Sequence, residues 1–349
     1  MKKMIKFPSI EQFRSVVANI NRQYNFVGLD ENGEAIYDPS LPKPVLKFKG
    51  TVKLHGTNAG VSYNEIEGLW AQSRENIITP EHDNAGFAFF AHTHETEFLR
   101  LVCHIASTEL IDLHHNTITI YGEWVGKGIQ KGVGISNIEK SFFIFGVKIT
   151  PHTETEEELK TYPAYWVDSF YIKNEDAKIY NIEDFQTYEI DIDFNMPQLV
   201  QNDLSDLTIA VEEQCPVAKH FGAEGIGEGI VWSVEFKGVV HRFKVKGEKH
   251  SSSKVKTLAA VDVEKLNSIT EFIDYVVTES RFNQALENTY PNNEPIDIKK
   301  MGDLIRWVVN DVIKEESDTL AKSGLEPKDV NKYISAKVRE MFFKLEVVK

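Results

Sequence analysis

Apolar and polar residues alternate along residues 45–54, and this pattern predicts a strand. The apolar positions are Leu46, Phe48, Val52 and Leu54, and the polar positions between them are Lys47, Lys49, Thr51 and Lys53. A period of two is that of a half-buried strand. The next residues, His55-Gly56-Thr57-Asn58, are turn-forming and polar. We therefore expect Lys53 on the open face of a strand, directly before a turn.

Further segments rich in Val, Ile, Thr and Phe, bounded by Gly or polar turns, predict more strands. They are GVSYN, NTITIYGEWVG, KSFFIFGVKI, GEGIVWSVEF and VVHRFKVKG. Helices intervene: ETEFLRLVCHIASTELIDLH places Phe98, Leu101, Val102 and Ile105 at helical spacing. Because strands and helices follow one another without a repeating strand-helix-strand unit, we expect an α+β fold with mainly antiparallel sheets.

After residue 260 the pattern becomes helical. Ser268 and Glu271 have the spacing of a capping box. One apolar stripe comprises Met301, Leu304, Ile305, Val308, Val309, Val312 and Ile313, and a second comprises Ile334, Val338, Met341, Phe342 and Leu345. Pro327 suits the first turn of the last helix. We predict a mixed domain over residues 1–250 and a small all-helical domain over residues 251–349, joined through GEKHSSSKVK.

The overall charge is acidic, but the positive charge is concentrated in one segment. The 349 residues carry a formal net charge of −14, which argues against a protein that coats nucleic acid without specificity. Between residues 237 and 256, however, the cations are Lys237, Arg242, Lys244, Lys246, Lys249, Lys254 and Lys256. A local basic groove that binds phosphates is compatible with an acidic total.

Hydrophobic residues make up 42% of the chain, which suits a globular protein. We predict no membrane association, because no apolar run is long enough to cross a bilayer, and the N-terminus lacks the pattern of a secretory signal. The two cysteines, Cys103 and Cys215, form no metal or redox spacing. A reducing cytoplasm is the expected location.

A lysine at the end of a strand is ordinarily a solvated surface group, but the surroundings of Lys53 favour chemistry. The following turn offers hydroxyl and amide groups that suit a phosphate. Arg242, Lys244 and Lys246 share one face of a later strand. A nucleophilic lysine must be neutral, which about one lysine in a thousand is near pH 7.4. Nearby cations favour the neutral amine, so Lys244 and Lys246 could activate Lys53 if the fold brings the strands together.

Six segments in order resemble the collinear motifs of the covalent nucleotidyltransferases. They are KLHGTN, the pair Ser73-Arg74, YGEWVG, FFIFGV, EGIVW and FKVKG. His55 in the first motif makes the chain similar to the RNA ligase 2 family, which includes the phage T4 and trypanosome RNA-editing enzymes. DNA ligases and capping enzymes usually have Asp at that position. The resemblance covers about residues 40–250, and the helical tail also suits this family.

The resemblance implies a fold, an activity and a set of ligands. The fold is an antiparallel-sheet, ATP-grasp-like ligase adenylation domain followed by a helical domain. The activity is ATP-dependent sealing of 3′-OH and 5′-phosphate RNA ends, through a lysyl-adenylate and an RNA-adenylate, in RNA repair. The expected ligands are ATP, Mg²⁺ or Mn²⁺, and RNA as a nicked duplex or a broken structured RNA. The family is common in bacteriophages, and we expect a monomer.

The resemblance also implies roles for individual residues. Lys53 would be the nucleophile that carries AMP, with His55 orienting the turn. Thr57 and Asn58 would hold the phosphate and metal-bound water. The remaining assignments are phosphate contacts for Arg74, Lys244 and Lys246, ribose binding for Glu123, adenine stacking for Phe145, and metal binding for Glu228 together with Asn58.

Two positions depart from the family pattern, and three other readings stay open. Some family members have an acidic residue where this chain has Val52, and an Asp often stands where it has Gly146; both bear on the preference for ATP. Phe145 lies in a continuous apolar run, so core packing is an alternative to stacking on adenine. Glu228 shares strand parity with Ile230 and Trp232, so it can reach the site only if the strand begins after it or that face lines the pocket. The alternative functions are another covalent nucleotidyltransferase, such as a DNA ligase or a capping-type enzyme, and an inactive RNA-binding relative.

Overall fold

The fold was examined in a computed structural model of the chain. It describes residues 2–38, 43–83, 85–153, 161–247, 272–291, 294–322 and 325–345, together with residues 41, 158 and 269. Within these ranges the α+β class and the mainly antiparallel pairing predicted from the sequence are confirmed, because β8 and β10 form the one parallel pair among the strands described below.

The strands follow the alternating segments of the sequence closely. Their bounds are β1 Phe26–Leu29, β2 Ala35–Tyr37, β3 Val45–Lys53, β4 Thr57–Asn64, β5 Gly68–Ser73, β6 Ile77–Ile78, β7 Asn116–Val125, β8 Ser141–Pro151, β9 Tyr165–Val167, β10 Ile179–Asn181, β11 Thr187–Asp193, β12 Gly229–Phe236 and β13 Val239–Lys246. Each strand segment predicted from the sequence overlaps one of these elements. The predicted turn is shorter than expected, since Thr57 and Asn58 already belong to β4.

Two sheets contribute strands to the walls of one cleft. One contains seven strands in the order β10-β8-β7-β4-β5-β6, with β9 beside β8, and the other contains four in the order β11-β3-β12-β13. A separate hairpin joins β1 to β2. Lys53 ends β3 in the four-stranded sheet, and Glu123 lies on β7 in the seven-stranded sheet. The two sheets therefore bring motifs that are far apart in sequence toward one cleft.

The helices cover the outer faces of these sheets and form a separate bundle at the C-terminal end. Their bounds are α1 Phe13–Asn25, α2 Phe87–Thr93, α3 Glu95–Thr108, α4 Gln201–Glu213, α5 Pro216–His220, α6 Glu279–Thr289, α7 Met301–Glu315, α8 Ser317–Lys322 and α9 Pro327–Phe343; residues 272–276 are also helical. None of the described helices is long and apolar enough to span a bilayer.

The apolar residues form three clusters. Phe48, Trp232 and Phe243 belong to the core of the four-stranded sheet. A second cluster packs α2 and α3 against the seven-stranded sheet. A third lies within the C-terminal helices, where the predicted stripes are confirmed by buried Val308 and Val338. The proposed capping box at Ser268 and Glu271, the linker and the boundary at residue 250 lie outside the described residues, so the domain division stays a prediction.

The N-terminal segment is fixed across the seven-stranded sheet. The Gln72 side-chain amide donates a hydrogen bond to the Ile5 carbonyl, 2.6 Å away, and the Tyr121 hydroxyl donates to the same oxygen at 2.8 Å. The Phe7 ring consequently packs edge-on against Phe145, with 4.9 Å between the ring centroids, and against Trp166, with 5.3 Å. Phe7 and Ile10 thus form part of the cleft wall.

Candidate active site

The register of the four-stranded sheet aligns residues of β3, β12 and β13 in three rows, most of them polar. The first row is Lys53, Gly229 and Lys246; the second is Thr51, Val231 and Lys244; the third is Lys49, Ser233 and Arg242. Because residues two apart on a strand point to the same face, all three rows face the cleft. The strand pairing thus brings Lys53, Lys244 and Lys246 together, which is the condition that the sequence left open.

The Lys53 amine forms an ion pair with Glu228. The distance from Lys53 Nζ to Glu228 Oε2 is 2.6 Å, while Glu228 Oε1 lies 3.2 Å from Lys246 Nζ. His55 Nδ1 lies 3.3 Å from Oε2 of the same carboxylate. Burial by itself would raise the pKa of Glu228, but the ammonium groups of Lys53 and Lys246 outweigh it and hold the pKa well below its ordinary value.

This ion pair changes the expectation that cations alone would activate Lys53. The charge closest to the amine is the carboxylate of Glu228, not an ammonium group. A lysine attacks only as a free amine, so Lys53 could act as the predicted nucleophile only after the ion pair breaks and the proton leaves.

A glycine places the carboxylate of Glu228 in the cleft. β12 begins at Gly229, so Glu228 lies outside the alternation that buries Ile230 and Trp232. Gly229 has φ of +150°, and a Cβ there would lie 2.1 Å from the Val245 carbonyl oxygen. Only glycine fits this conformation and this close approach. The first of the two conditions set by the sequence, that the strand begins after Glu228, is therefore met.

Glu123 faces Lys53 from the opposite sheet. Its Oε1 accepts a hydrogen bond from the Gly56 backbone N–H at 3.0 Å. Burial raises the pKa of this carboxyl to about 7, although the charge of Lys53 opposes that shift. At neutral pH Glu123 is therefore close to the midpoint of its titration. The tight turn that presents Gly56 requires glycine, because a Cβ there would lie 2.3 Å from the Trp124 carbonyl oxygen.

A β-bulge turns the Phe145 side chain into the cleft. Tyr121 pairs with Gly146 but the next residue, Gly122, pairs with Ile144, so Phe145 is the extra residue of β8. Bulges of this kind redirect a side chain at many functional sites. Phe145 is partly exposed and lines a cavity with Lys53, whereas Ile144 is fully buried. Phe145 also packs against the core cluster of the four-stranded sheet, so its position is compatible with both core packing and stacking on a base.

Two adjoining cavities meet at Lys53. The first is lined partly by aromatic and aliphatic groups, including Phe145 and Val231, and also contains Asn58. The second is strongly charged, and the residues predicted from the sequence that line it are His55, Arg74, Glu228, Lys244 and Lys246. Lys53 and Glu123 line both cavities. Among the predicted site residues Thr57 lines neither, and its buried hydroxyl accepts a hydrogen bond from Gln284 at 3.4 Å.

The two residues predicted to bind the metal, Asn58 and Glu228, line different cavities. Asn58 lines the first cavity and Glu228 the second, with Lys53 between them. Carboxylate and amide oxygens are suitable donors for a hard divalent cation that keeps most of its water. Both oxygens of Glu228 are engaged by lysines in this structure, so the residues fit a water-mediated site better than a direct cage.

The helical region contributes a charged group that the sequence did not suggest. Glu315, the last residue of α7, lies 2.8 Å from Arg74 Nη2 and 3.0 Å from Lys244 Nζ. Burial alone would raise the pKa of Glu315, but Lys244 and Arg74 hold it below its ordinary value. The Glu315 carboxylate thus pairs with two of the three cations that the sequence assigned to phosphate, Arg74 and Lys244.

One signal for this contact was present in the sequence. The apolar stripe of α7 reaches Val312, and its next positions, three and four residues on, are Glu315 and Glu316. Acids at positions where a helix buries its apolar face require partners. Glu316 is 6% exposed and pairs with Arg281 at 3.1 Å.

Comparison with family models shows one family. The family model described as RNA ligase matches residues 47–246. A search of curated protein sequences finds no match. Among solved structures, Naegleria gruberi RNA ligase with PPi aligns at 15% identity and a TM-score of 0.39, over 70% of this chain and 57% of that chain. A lysine-to-methionine mutant of that ligase with AMP and Mn gives 13% identity and 0.40 over the same shares.

Proposed function

We propose, from the premise that this chain belongs to the RNA ligase family, that it is an ATP-dependent enzyme that seals a 3′-OH RNA end to a 5′-phosphate end. The matched residues contain every site residue predicted from the sequence. The observation that carries the proposal is the position of Lys53, whose amine lies where a cavity lined partly by aromatic and aliphatic groups meets a cluster of cations.

The first step forms a lysyl-adenylate. The free amine of Lys53 attacks the α-phosphorus of ATP, a P–N bond forms, and the bond to the departing diphosphate oxygen breaks; the amine proton goes to solvent. Lys246 and, once Glu315 has left them, Lys244 and Arg74 neutralise phosphate charge. Such positioning and neutralisation are the main contributions of a protein to phosphoryl transfer.

The next two steps use RNA. A 5′-phosphate oxygen attacks the adenylate phosphorus, the P–N bond breaks, and Lys53 recovers a proton. The 3′-hydroxyl of the adjoining strand then attacks the 5′-phosphorus, AMP leaves, and the hydroxyl proton goes to solvent. Holding the two ends in line supplies much of the rate enhancement. The cations beside Lys53 give an acidic protein a local surface for the RNA backbone.

The cleft offers a place for each part of the nucleotide. Adenine fits between Phe145 on β8 and Val231 on β12, which face the same cavity. The carboxylate of Glu123 accepts hydrogen bonds from ribose hydroxyls. Mg²⁺ or Mn²⁺, held by Glu228 and Asn58 largely through water, would neutralise phosphate charge when bound. We further propose a monomer that works in the cytoplasm of a bacteriophage host, on a nicked duplex or broken structured RNA.

Two measurements test this function. Incubation with α-labelled ATP and Mg²⁺ or Mn²⁺ should leave label on the protein after denaturing electrophoresis. A nick with a 3′-OH RNA strand should then be sealed faster than the same nick with a 3′-OH DNA strand. No label with either metal would contradict the enzyme and leave an RNA-binding protein. Label from GTP but not ATP would indicate a capping-type enzyme, and equal sealing would indicate no RNA preference.

The titration of Glu123 should be visible in the pH dependence of adenylylation. With a pKa of about 7, the carboxyl loses its acceptor form below neutrality, so kcat/KM for ATP should fall up to tenfold per pH unit below pH 7. Glu123→Gln keeps an acceptor oxygen but does not ionise. The limb near pH 7 should therefore disappear in this variant. If kcat/KM falls with the same midpoint pH in the wild type and in Glu123→Gln, the titrating group is not Glu123.

Removal of the Glu315 carboxylate should improve the use of ATP. In Glu315→Ala, Arg74 and Lys244 no longer have this competing anion. Two charge-assisted contacts, discounted for their partial exposure, are worth about 1.5 kcal/mol, so KM for ATP should fall about tenfold. Glu294→Ala, which removes an exposed acid paired with Lys300 in the same helical region, should leave KM unchanged. A higher KM in Glu315→Ala would mean that the acid holds the two cations in a productive position.

A further inference from the structure

The two positions that depart from the family pattern, Val52 and Gly146, hold groups that cannot distinguish one base from another. Val52 is 2% exposed and belongs to the core of the four-stranded sheet. Gly146 has no side chain, and a Cβ there would already lie 3.2 Å from the Trp166 ring. Groups that distinguish one base from another must therefore come from elsewhere in the cleft.

The third polar row of the four-stranded sheet lies where the edge of a stacked base would end. Val231, in the second row, faces the same cavity as Phe145. The third row lies two residues further along each strand, about 7 Å away, which is close to the width of a purine. It presents Arg242 and Ser233, and both line this cavity.

Arg242 is a cation without an acidic partner in the described part of the chain. Its guanidinium carbon lies 4.2 Å from the centre of the Trp166 ring and 5.3 Å from that of Phe7. Burial lowers the pKa of Arg242 to about 10, and no carboxylate opposes the shift. A guanidinium only donates hydrogen bonds. A partly desolvated donor that faces a cavity is suited to a ligand that brings acceptor atoms.

Glu183 supplies the complementary acceptor and lines the same cavity as Arg242. It lies in the 3₁₀ turn Ile182–Asp184, where its backbone N–H donates to the Asn181 side chain at 2.9 Å. Its Oε2 pairs with Lys49 at 2.6 Å. Within the described chain its Oε1 has no hydrogen-bond partner. An ionised carboxylate only accepts, so this oxygen is suited to an exocyclic amino group.

We propose that Arg242 and Glu183 read the edge of adenine, Arg242 by donating to a ring nitrogen and Glu183 by accepting from the exocyclic amino group. Neighbouring donor and acceptor atoms on a purine edge match this pair of side chains. The inference rests on the proposed use of ATP. It assigns base selection to two residues that lie outside the six sequence motifs.

Substituting Glu183 tests the acceptor. The wild-type protein should use purine riboside triphosphate, which lacks the amino group, about tenfold less well than ATP in adenylylation, as expected for one hydrogen bond to a charged group. Glu183→Gln introduces an amide that can donate to O6 of guanine. The ratio of kcat/KM for GTP to that for ATP should therefore rise about tenfold. Glu189→Gln, at an exposed acid paired with Lys47 on the same sheet, should leave the ratio unchanged.

Substituting Arg242 tests the donor independently. At least one of 1-deaza-ATP and 7-deaza-ATP, each lacking one ring acceptor, should be used about tenfold less well than ATP by the wild-type protein. Arg242→Met keeps an apolar stem against Trp166 but cannot donate, so ATP and that analogue should become equivalent. Arg22→Met, at an exposed arginine over the Tyr37 ring, should keep the wild-type difference.

The outcomes separate this inference from the proposed function. Labelling of the wild-type protein by ATP with the same base preferences in every variant would overturn the base-reading role and leave the ligase function intact. The same holds if purine riboside triphosphate and both deaza analogues match ATP in the wild-type protein. Absence of label from any nucleotide would overturn both.

Discussion

Lys53→Ala should abolish labelling of the protein by α-labelled ATP. The amine is the group that bonds to the α-phosphorus in the proposed reaction, and alanine offers no nucleophile in its place. The residual signal should be at least 1,000-fold lower, in the range typical for loss of a covalent nucleophile. Sealing that starts from ATP should be lost to the same extent, because the lysyl-adenylate precedes it.

A matched lysine provides the control. Lys47→Ala changes a residue on the same face of β3 whose side chain is 63% exposed and pairs with Glu189. Labelling should be unchanged in this variant. Pre-adenylylated RNA gives a second readout, since Lys53→Ala should retain part of the sealing of that substrate. Retained labelling of Lys53→Ala at the wild-type level would move the nucleophile to another residue.

Glu228→Gln should have the next largest effect, on both rate and stability. Its carboxylate is 2% exposed and pairs with Lys53 and Lys246. The amide keeps the shape but leaves two largely buried ammonium groups without an anion, at a cost of about 3 kcal/mol in the free energy of unfolding. Adenylylation should slow by about 100-fold, because Lys53 loses the group that orients it and the metal loses a carboxylate. Denaturant titration and single-turnover labelling measure the two effects.

The stability effect should depend on pH with a definite sign. The pKa of Glu228 is lowered in the folded protein, so its contribution is present above the ordinary carboxyl pKa of about 4.3 and is lost as the pH falls toward the folded-state value. The difference in the free energy of unfolding between wild type and Glu228→Gln should therefore shrink as the pH falls. Glu235→Gln, near the exposed end of the same strand, should follow the wild-type curve. A constant gap at every pH would attribute the loss to packing.

Local patterns were sufficient to predict the strands that carry the site. The alternation of β3 and β13 placed Lys53, Lys244 and Lys246 on exposed faces, and the register then put them in adjacent rows. Such patterns depend only on residues near one another in sequence, because the period of a strand is a local property. The apolar stripes of α7 and α9 were predicted for the same reason.

Features that depend on a single backbone irregularity could not be predicted. The bulge at Phe145 is defined by the pairing of β8 with β7. The need for glycine at 229 comes partly from the close approach of the Val245 carbonyl oxygen. A pattern of period two contains no information about either. The parity argument therefore left Glu228 open, and the continuous apolar run left Phe145 open. The structure places Glu228 directly before β12 and Phe145 at the border of the cavity.

Contacts between distant segments were equally beyond the sequence. Glu315 lies 241 residues from Arg74, and its place on the apolar stripe of α7 indicates that it needs a partner but not which one. The placement of Arg242 and Glu183 at one cavity could not be predicted either, because residues from both sheets line that cavity. The role of each depends on what the other elements bring to it.

The hydrogen bonds from Gln72 and Tyr121 to the Ile5 carbonyl have a practical consequence for work with shortened proteins. Phe7 and Ile10 line the cavity that holds Phe145, although the family match begins only at residue 47. A minimal fragment cut to residues 47–246 would keep Lys53 but lose one wall of that cavity. Shortened proteins intended for nucleotide binding should therefore retain the segment from Ile5 to Ile10.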